Sequence, residues 1–284
     1  MYDIAPTLCV FHADCPDGFA SAVAVYEKFG DSVEFCPSSY GQLPPDVRGH
    51  HVVIVDFSYP AEVLRKISTL AASVTVLDHH KTAASDLLPL LEDGTISGIF
   101  DMDKSGAVIT WEYYHDTMVP ELLLYIQDND LWKFELIFSK SIYAWISTQP
   151  HQLDVWSDIT HSFENMTVTE RDVIVGEGQA ILRRHFFDVE LSVRTTLRYM
   201  VIGGIRVPVI NCPRTIASDA AELTGNMPFS ASYVDRTHGR QFNLRSGLSG
   251  VDVSEIARLY GGGGHRHAAG FNIPFHLLVE MELL

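Results

Sequence analysis

The chain has 284 residues, 46% apolar and 11% aromatic, a balance that excludes wholesale disorder and suits about two globular domains. With 36 acidic against 20 basic side chains, its formal charge is −16. So acidic a chain argues against a protein that grips long DNA or RNA, while a small phosphate substrate stays compatible.

Residues 7–11 predict a strand, and 18–30 a helix ending in Gly30, with Ala20, Val23, Ala24 and Phe29 on its buried stripe. A second strand is expected near 33–36. Residues 51–56 hold four consecutive apolar residues before Asp56, as in a strand covered on both faces. A helix beginning at Pro60 carries Val63, Leu64, Ile67 and Leu70, and 73–77 and 98–100 are further strands. Strands and helices alternating in this way predict a parallel α/β sheet. From about residue 105 the pattern turns helical (105–114, 120–132, weaker pieces to about 165), and 168–195 reads as one long polar-faced helix. A β-rich region follows: a hairpin over 197–210 turning at Gly203-Gly204, strands over 230–234 and 241–245, and helices over 218–223 and 254–260. The expected architecture is an α/β fold. It has a parallel-sheet domain over 1–167, a linker helix over 168–196 and a smaller α/β domain over 197–284.

No run of about 18 apolar residues occurs, so no membrane span is expected. The opening Met-Tyr-Asp-Ile-Ala-Pro lacks the basic-then-apolar pattern of a secretory leader. Cys9, Cys15, Cys36 and Cys212 show no C-x-x-C spacing, so a disulfide framework is not expected and the cytoplasm is the default compartment.

Three strands of the first half end in metal-type ligands. The strand at 7–11 runs into His12, Asp14 and Asp17, the strand at 51–55 into Asp56, and the strand at 73–77 into Asp78-His79-His80. Loops at the carboxyl ends of parallel strands converge on one side of a sheet, where open α/β folds bind ligands. Asp14, Asp17, Asp56, Asp78 and His79 are therefore expected within a few ångströms of one another, and so many acids repel unless cations neutralise them. Mixed carboxylate and imidazole donors suit Mn²⁺, Fe²⁺ or Co²⁺. Two such ions bridged by one acid would stand about 3.5–4 Å apart, with Asp56 as the bridge. Taken singly, any of these acids could be a helix cap or a turn residue. Three such clusters together are hard to obtain by chance. His50-His51 reads as exposed loop, and Asp101 and Asp103 as turn or cap residues. A second constellation, Gly261-Gly262-Gly263-Gly264-His265-Arg266-His267-Ala268-Ala269-Gly270, offers glycine N–H groups to an anion beside cationic side chains.

At these residues the sequence resembles the DHH phosphoesterase superfamily, in particular members with the DHH-associated C-terminal domain, over nearly the whole chain. His12-Ala-Asp14-Cys-Pro-Asp17-Gly18, Val55-Asp56, Asp78-His79-His80, Gln127-Asp128-Asn-Asp130-Leu-Trp132 and Gly262-Gly-Gly-His265 through Gly270 match its motifs in order. The resemblance implies a phosphoesterase that uses two Mn²⁺ ions, with Mg²⁺ or Co²⁺ as alternatives, and makes 1–167 the catalytic domain and 197–284 the substrate domain, with the active-site cleft between them. It implies metal ligation by His12, Asp14, Asp17, Asp56, His79 and Asp128, and a catalytic group of Asp56, Asp78, His79 and His80 in which Asp78 orients the histidines. Arg245, Gly262, Gly263, Gly264 and His265 are the implied substrate contacts. Asp128 is preferred to Asp130 because it stands four residues before an aromatic. Two residues, Cys15-Pro16, separate Asp14 from Asp17 where many relatives have one, which leaves open which acid serves which ion.

The expected activity is hydrolysis of a phosphoester in a small nucleotide or short oligonucleotide. Nanoscale RNA, a bisphosphorylated nucleotide and a cyclic dinucleotide are not distinguished. The alternatives are a RecJ-like single-strand exonuclease and a non-catalytic nucleotide-binding module. The glycine–histidine motif disfavours a family II pyrophosphatase. No long nucleic acid and no membrane is expected as a partner, and self-association into a homodimer stays open.

Overall fold

Strands β1 (Leu8–His12), β2 (Glu34–Ser38), β3 (His51–Val55), β4 (Ser73–Asp78) and β5 (Ser97–Phe100) form one sheet in the order β2-β1-β3-β4-β5, every neighbouring pair parallel. This is a computed structural model that describes residues 5–13, 15–225 and 228–281. Successive strand residues point to opposite faces. Leu8, Val10, Val52, Ile54, Val74 and Val76 enter one core, and Cys9, Phe11, Val53, Val55 and Leu77 the other. Leu64 and Ile67 of helix α2 (Ala61–Leu70) and Leu87 and Leu90 of α3 (Lys81–Glu92) close the first. Helices α1 (Pro16–Phe29), α4 (Gly106–Tyr114), α5 (Glu121–Asp130), α6 (Ser139–Ile146) and α7 (Leu153–Glu164) close the second. The four-residue apolar run of β3 is thus covered on both faces, as its sequence predicts. Helix α3 has no counterpart in the sequence expectation. Pro89 inside it masks the apolar spacing of Leu87 and Leu90.

The order places β2 on one side of β1 and β3 on the other. The chain therefore reverses its direction of winding between β1 and β3, which opens a crevice at their carboxyl ends. His12 closes β1 and Asp56 follows β3.

Helix α8 (Val168–Thr196) runs through the boundary between two compact units, Met1–Ile181 and Leu182–Leu284. Ile174 and Val175 pack into the first unit's core, whereas Val189 packs with Ile210, Cys212 and Ala217 of the second.

The second unit is a six-stranded mixed sheet in the order β10-β11-β9-β8-β7-β6. Strands β6 (Arg198–Ile202) and β7 (Ile205–Asn211) form the hairpin, with Gly203 and Gly204 at φ 59° and 79°, the left-handed pair a two-residue hairpin turn requires. A helix, α9 (Arg214–Leu223), carries the chain to β8 (Ser230–Arg236), which pairs parallel to β7 and antiparallel to β9 (Gly239–Arg245). After α10 (Val253–Arg258), the short β10 (Gly263–Gly264) folds back on β11 (Ala268–Pro274). All four cysteines are free, and among the described residues no helix is long and apolar enough to cross a membrane.

Candidate metal centre

The ends of β1, β3 and β4 and the end of α5 supply a cluster of acids and imidazoles. His12 Nδ1 stands 3.5 Å from Asp56 Oδ2, and His79 Nε2 stands 3.2 Å from Asp56 Oδ1 and 3.5 Å from Asp130 Oδ2. Three groups of donor atoms, each within 4.8 Å of one another, emerge: Asp56, Asp78, His79 and His80; His12, Cys15 and Asp56; and Asp17, His79 and Asp130. Asp56 belongs to two of them. It is 1% exposed, and although the two imidazoles attract its charge from 3.5 and 3.2 Å, neither of its oxygens makes a hydrogen bond of good geometry. A buried carboxylate left without hydrogen bonds is costly unless something else occupies its lone pairs. The donor set therefore fits one or two divalent cations.

Local backbone chemistry brings these groups together. Asp56 has φ 52°, a left-handed conformation that Asp and Asn tolerate better than most residues, and its N–H donates to Leu77 O at 2.9 Å. Two glycines make room. A Cβ at Gly18 would lie 2.3 Å from His12 O, and one at Gly106 would lie 2.5 Å from Asp56 Cβ. Their absence lets the first turns of α1 and α4 press against the ligand-bearing strand ends. Asp17 accepts from the N–H groups of Gly106 and Ala107 at 2.7 and 3.1 Å, so its carboxylate also caps α4 where the helix dipole favours an anion. Each carboxylate oxygen retains a lone pair for a cation.

Electrostatics follow from burial and mixed charge. Burial pushes the Asp56 carboxyl up, but His12 and His79 overcompensate and hold it below the ordinary carboxylate range. Burial disfavours the His79 imidazolium, yet Asp56, Asp130 and Asp17 together raise it to about 10. The Asp17 carboxyl is lifted by burial and then by the charges of Asp56 and Asp130. Burial likewise raises Asp130, against the opposing pull of His79. Asp78 is wholly buried. Its Oδ1 lies 2.6 Å from His80 Nδ1 and accepts from the N–H of His79 at 2.8 Å. It fixes the turn and the ring of His80, whose imidazolium it favours against the penalty of burial.

Of the sequence-predicted ligands, His12, Asp17, Asp56 and His79 are brought together. Asp14 lies outside the described residues. Asp128 is a correction: its carboxylate accepts from the N–H groups of Glu135 and Leu136 at 2.9 and 3.4 Å and braces the loop after α5. Asp130 takes its expected place in the cluster. Two residues along a helix are about 200° apart, so only one of the two acids can face the sheet end. Asp130 continues the buried Leu122–Ile126 stripe at i+4 and i+8, a signal present in the sequence. Cys15 and Tyr143 are further neighbours that the sequence reading does not assign. The Tyr143 hydroxyl is pushed well up by burial and then by Cys15, Asp130, Asp17 and Asp56. His50 and His51 engage Thr7 and Ser73; both are half-buried and His51 opens β3, so they are not the exposed loop the sequence suggested, whereas Asp101 closes a turn on Asp103 N as expected.

In the second unit, Arg245 pairs in register with Ala268, and Gly264 with Ala269, so the implied substrate residues lie on adjoining strands. Arg245 Nε donates to Ser218 Oγ and its Nη1 to Leu244 O, both at 2.9 Å. Burial, followed by Arg214, pushes the guanidinium down to about 10. The expectation of free N–H groups along the glycine run does not hold at Gly261 and Gly262, which donate to Arg258 O and Ala257 O, while His265 N donates to Ala268 O. Close packing gives two of the glycines a further role. A Cβ at Gly262 would lie 2.1 Å from Gly270 O, and Gly264 has φ 140° with Ala268 O at 2.6 Å, whereas Gly263 faces open space. Gly262→Val should therefore destabilise the second unit by about 3 kcal/mol, and Gly263→Val by less than about 0.5 kcal/mol. Equal losses in urea unfolding would refute this assignment.

No protein-family model matches the chain. It is 26% identical to the uncharacterized protein R106 of Acanthamoeba polyphaga mimivirus, over 97% of this chain and 71% of that one. An exopolyphosphatase-related protein from Bacteroides fragilis superposes with a TM-score of 0.52 at 13% identity, covering 97% of this chain and 89% of that one. The exonuclease RecJ bound to manganese superposes with a TM-score of 0.51 at 14% identity, over 98% and 88% of the two chains. These two likenesses are of fold.

Proposed function

We propose that this chain is a divalent-metal-dependent phosphoesterase of the DHH type, acting on a small nucleotide or short oligonucleotide. The observation that carries the reading is the buried Asp56 carboxylate, without hydrogen bonds, shared between two donor groups at the carboxyl ends of β1, β3 and β4. The manganese named with RecJ and the phosphoester chemistry of that exonuclease agree with it. His12, Asp17, Asp56, His79 and Asp130 would hold two ions, with Asp56 as the bridge and Asp14 as a further ligand. Bound Mn²⁺ would supply Lewis acidity toward phosphoryl oxygens and acidify water. His80, oriented by Asp78, which favours its imidazolium, would donate to a phosphoryl oxygen. Arg245 and the hairpin at 263–268 would bind the substrate's other phosphate or far end.

Trp132 and Phe134 support a nucleotide. They follow Asp130 closely, their rings meet edge to face at 4.8 Å, and Lys140 Nζ lies 4.3 Å from the Phe134 ring centroid. Trp132 is 54% exposed and has φ 58°. An exposed aromatic ring on a left-handed backbone, two residues after a candidate ligand, would offer a stacking platform for a base.

The test is a substrate panel: dinucleotides, a twenty-mer, bisphosphorylated nucleotides, cyclic dinucleotides and pyrophosphate. Chelation should abolish hydrolysis and Mn²⁺ restore it, with a dinucleotide cut at higher kcat/KM than the twenty-mer. Full turnover by metal-free protein, verified by elemental analysis, would overturn the reading. A preference for the twenty-mer that collapses as salt rises would favour the exonuclease, the second reading that the RecJ-like fold keeps open.

A further inference from the structure

We infer that Cys15 is a sulfur ligand of the metal centre, so that one ion is held by His12, Asp56 and a thiolate, and the centre selects thiophilic divalent ions over Mg²⁺. The inference rests on the metal-centre reading above and adds a donor to it. A nitrogen of His12, the sulfur of Cys15 and an oxygen of Asp56 all lie within 4.8 Å of one another. Donors placed about 2.0–2.3 Å from a common ion stand roughly 3.3–3.8 Å apart in a tetrahedral set, so small side-chain rotations bring these three to coordination distance.

The cysteine does not stand alone as evidence. His12 Nδ1 and both oxygens of Asp56 are buried without a hydrogen-bond partner, on residues 6% and 1% exposed. Three convergent donor atoms without hydrogen bonds, beside a thiol, form a coordination set suited to one divalent cation. Cys15 is also fixed in place. It caps α1 in an extended conformation at φ −130° and ψ 125°, with Pro16 opening the helix, and its carbonyl accepts from Phe19 N at 2.9 Å. Gly18 lets this turn approach His12 to a distance that no larger residue permits. Cys9, Cys36 and Cys212 belong to none of the donor groups, and no cysteine is committed to a disulfide.

The chemistry follows from the donor types. Mg²⁺ takes oxygen ligands, whereas a nitrogen, oxygen and sulfur set favours Fe²⁺, Co²⁺ or Zn²⁺. Coordination forms one metal–sulfur bond and releases the thiol proton to solvent, with no change of oxidation state.

Cobalt reports the bond directly, since a thiolate on Co²⁺ gives an intense near-ultraviolet charge-transfer band that nitrogen and oxygen donors do not. The full-length protein loaded with Co²⁺ should show the band. It should vanish in Cys15→Ser and Cys15→Asp and persist in Cys36→Ser. Calorimetry should show the ratio of Zn²⁺ to Mg²⁺ affinity falling at least about tenfold in Cys15→Asp, where a hard oxygen replaces sulfur. In the unaltered protein, bound Zn²⁺ should protect Cys15 from iodoacetamide, a measurement that needs no variant to fold. Stoichiometric Co²⁺ without the band, or a band that survives Cys15→Ser, would overturn sulfur ligation and leave the metal centre standing. Failure of any divalent ion to bind would overturn both.

Discussion

Asp56→Asn is expected to lower kcat/KM by at least about a thousandfold while the chain stays folded, because the carboxylate shared by two donor groups loses its charge and one oxygen donor. Asn is the conservative replacement here, since it tolerates the left-handed backbone at φ 52° that Ala would adopt only under strain. The sequence alone suggests that neutralising one crowded acid would relieve repulsion. The structure reverses that expectation, because imidazoles alternate with the acids and hold Asp56 in its charged form. A carboxyl held below its ordinary value contributes stability that is present above that value and lost as pH falls through the folded one. The contribution is therefore fully present at pH 7, and the metal-free variant should be less stable by about 1–3 kcal/mol. His79 provides a second readout. Its imidazolium, raised to about 10, contributes stability that is complete below about 6.5 and lost as pH rises toward 10. In Asp56→Asn this window should shrink, with the His79 titration moving down in the NMR spectrum. An ion must displace that proton, so metal affinity should rise with pH in the unaltered protein. Kinetics per folded molecule and metal content by elemental analysis decide the matter. Near-normal turnover with two ions bound would refute Asp56 as the bridge.

Gly106→Ala should damage the centre without touching a ligand. The added methyl would sit 2.5 Å from Asp56 Cβ and 2.9 Å from its Cα, so either Asp56 or the start of α4 must move. The same residue's N–H donates to Asp17 Oδ2 at 2.7 Å, so a shift of the helix also disturbs the second acid. Overpacking of this kind costs about 1–3 kcal/mol, and a displacement near 1 Å at a reacting centre costs about a hundredfold in rate. Gly176→Ala, in α8, is the matched control. Nothing lies within 4 Å of its added methyl, so the helix should gain about 0.5–1 kcal/mol and turnover should not change. If Gly106→Ala keeps full metal affinity and kcat/KM, the close packing of α4 on Asp56 plays no part in building the centre.

The sequence by itself determined the strands that carry the centre. Four apolar residues before Asp56, four before His12 and the alternating Val74 and Val76 before Asp78 have one good solution, a parallel sheet buried on both faces, and such a sheet sends its carboxyl ends to one side. Hence His12, Asp17, Asp56 and His79 were legible as a group from their positions after strands. The hairpin at Gly203-Gly204 was legible because its turn demands left-handed residues. Tertiary structure decided what spacing along the chain leaves open. Asp128 and Asp130 sit two residues apart near the end of one helix, and the docking of α5 turns one into a brace for the following loop and the other into a donor beside His79. The glycines at 261–264 read as an anion cradle from sequence, whereas the fold engages the N–H groups of Gly261 and Gly262 with carbonyls at the end of α10 and requires by close packing that Gly262 and Gly264 lack side chains. Cys15 carries no signal in sequence, since a cysteine before a helix-opening proline has no marked partner. Only the folding of α1 against β1, across Gly18, sets its sulfur among His12 and Asp56. In each case local pattern fixes which face of an element is apolar, whereas the identity of a side chain's neighbour depends on contacts between elements far apart in the chain.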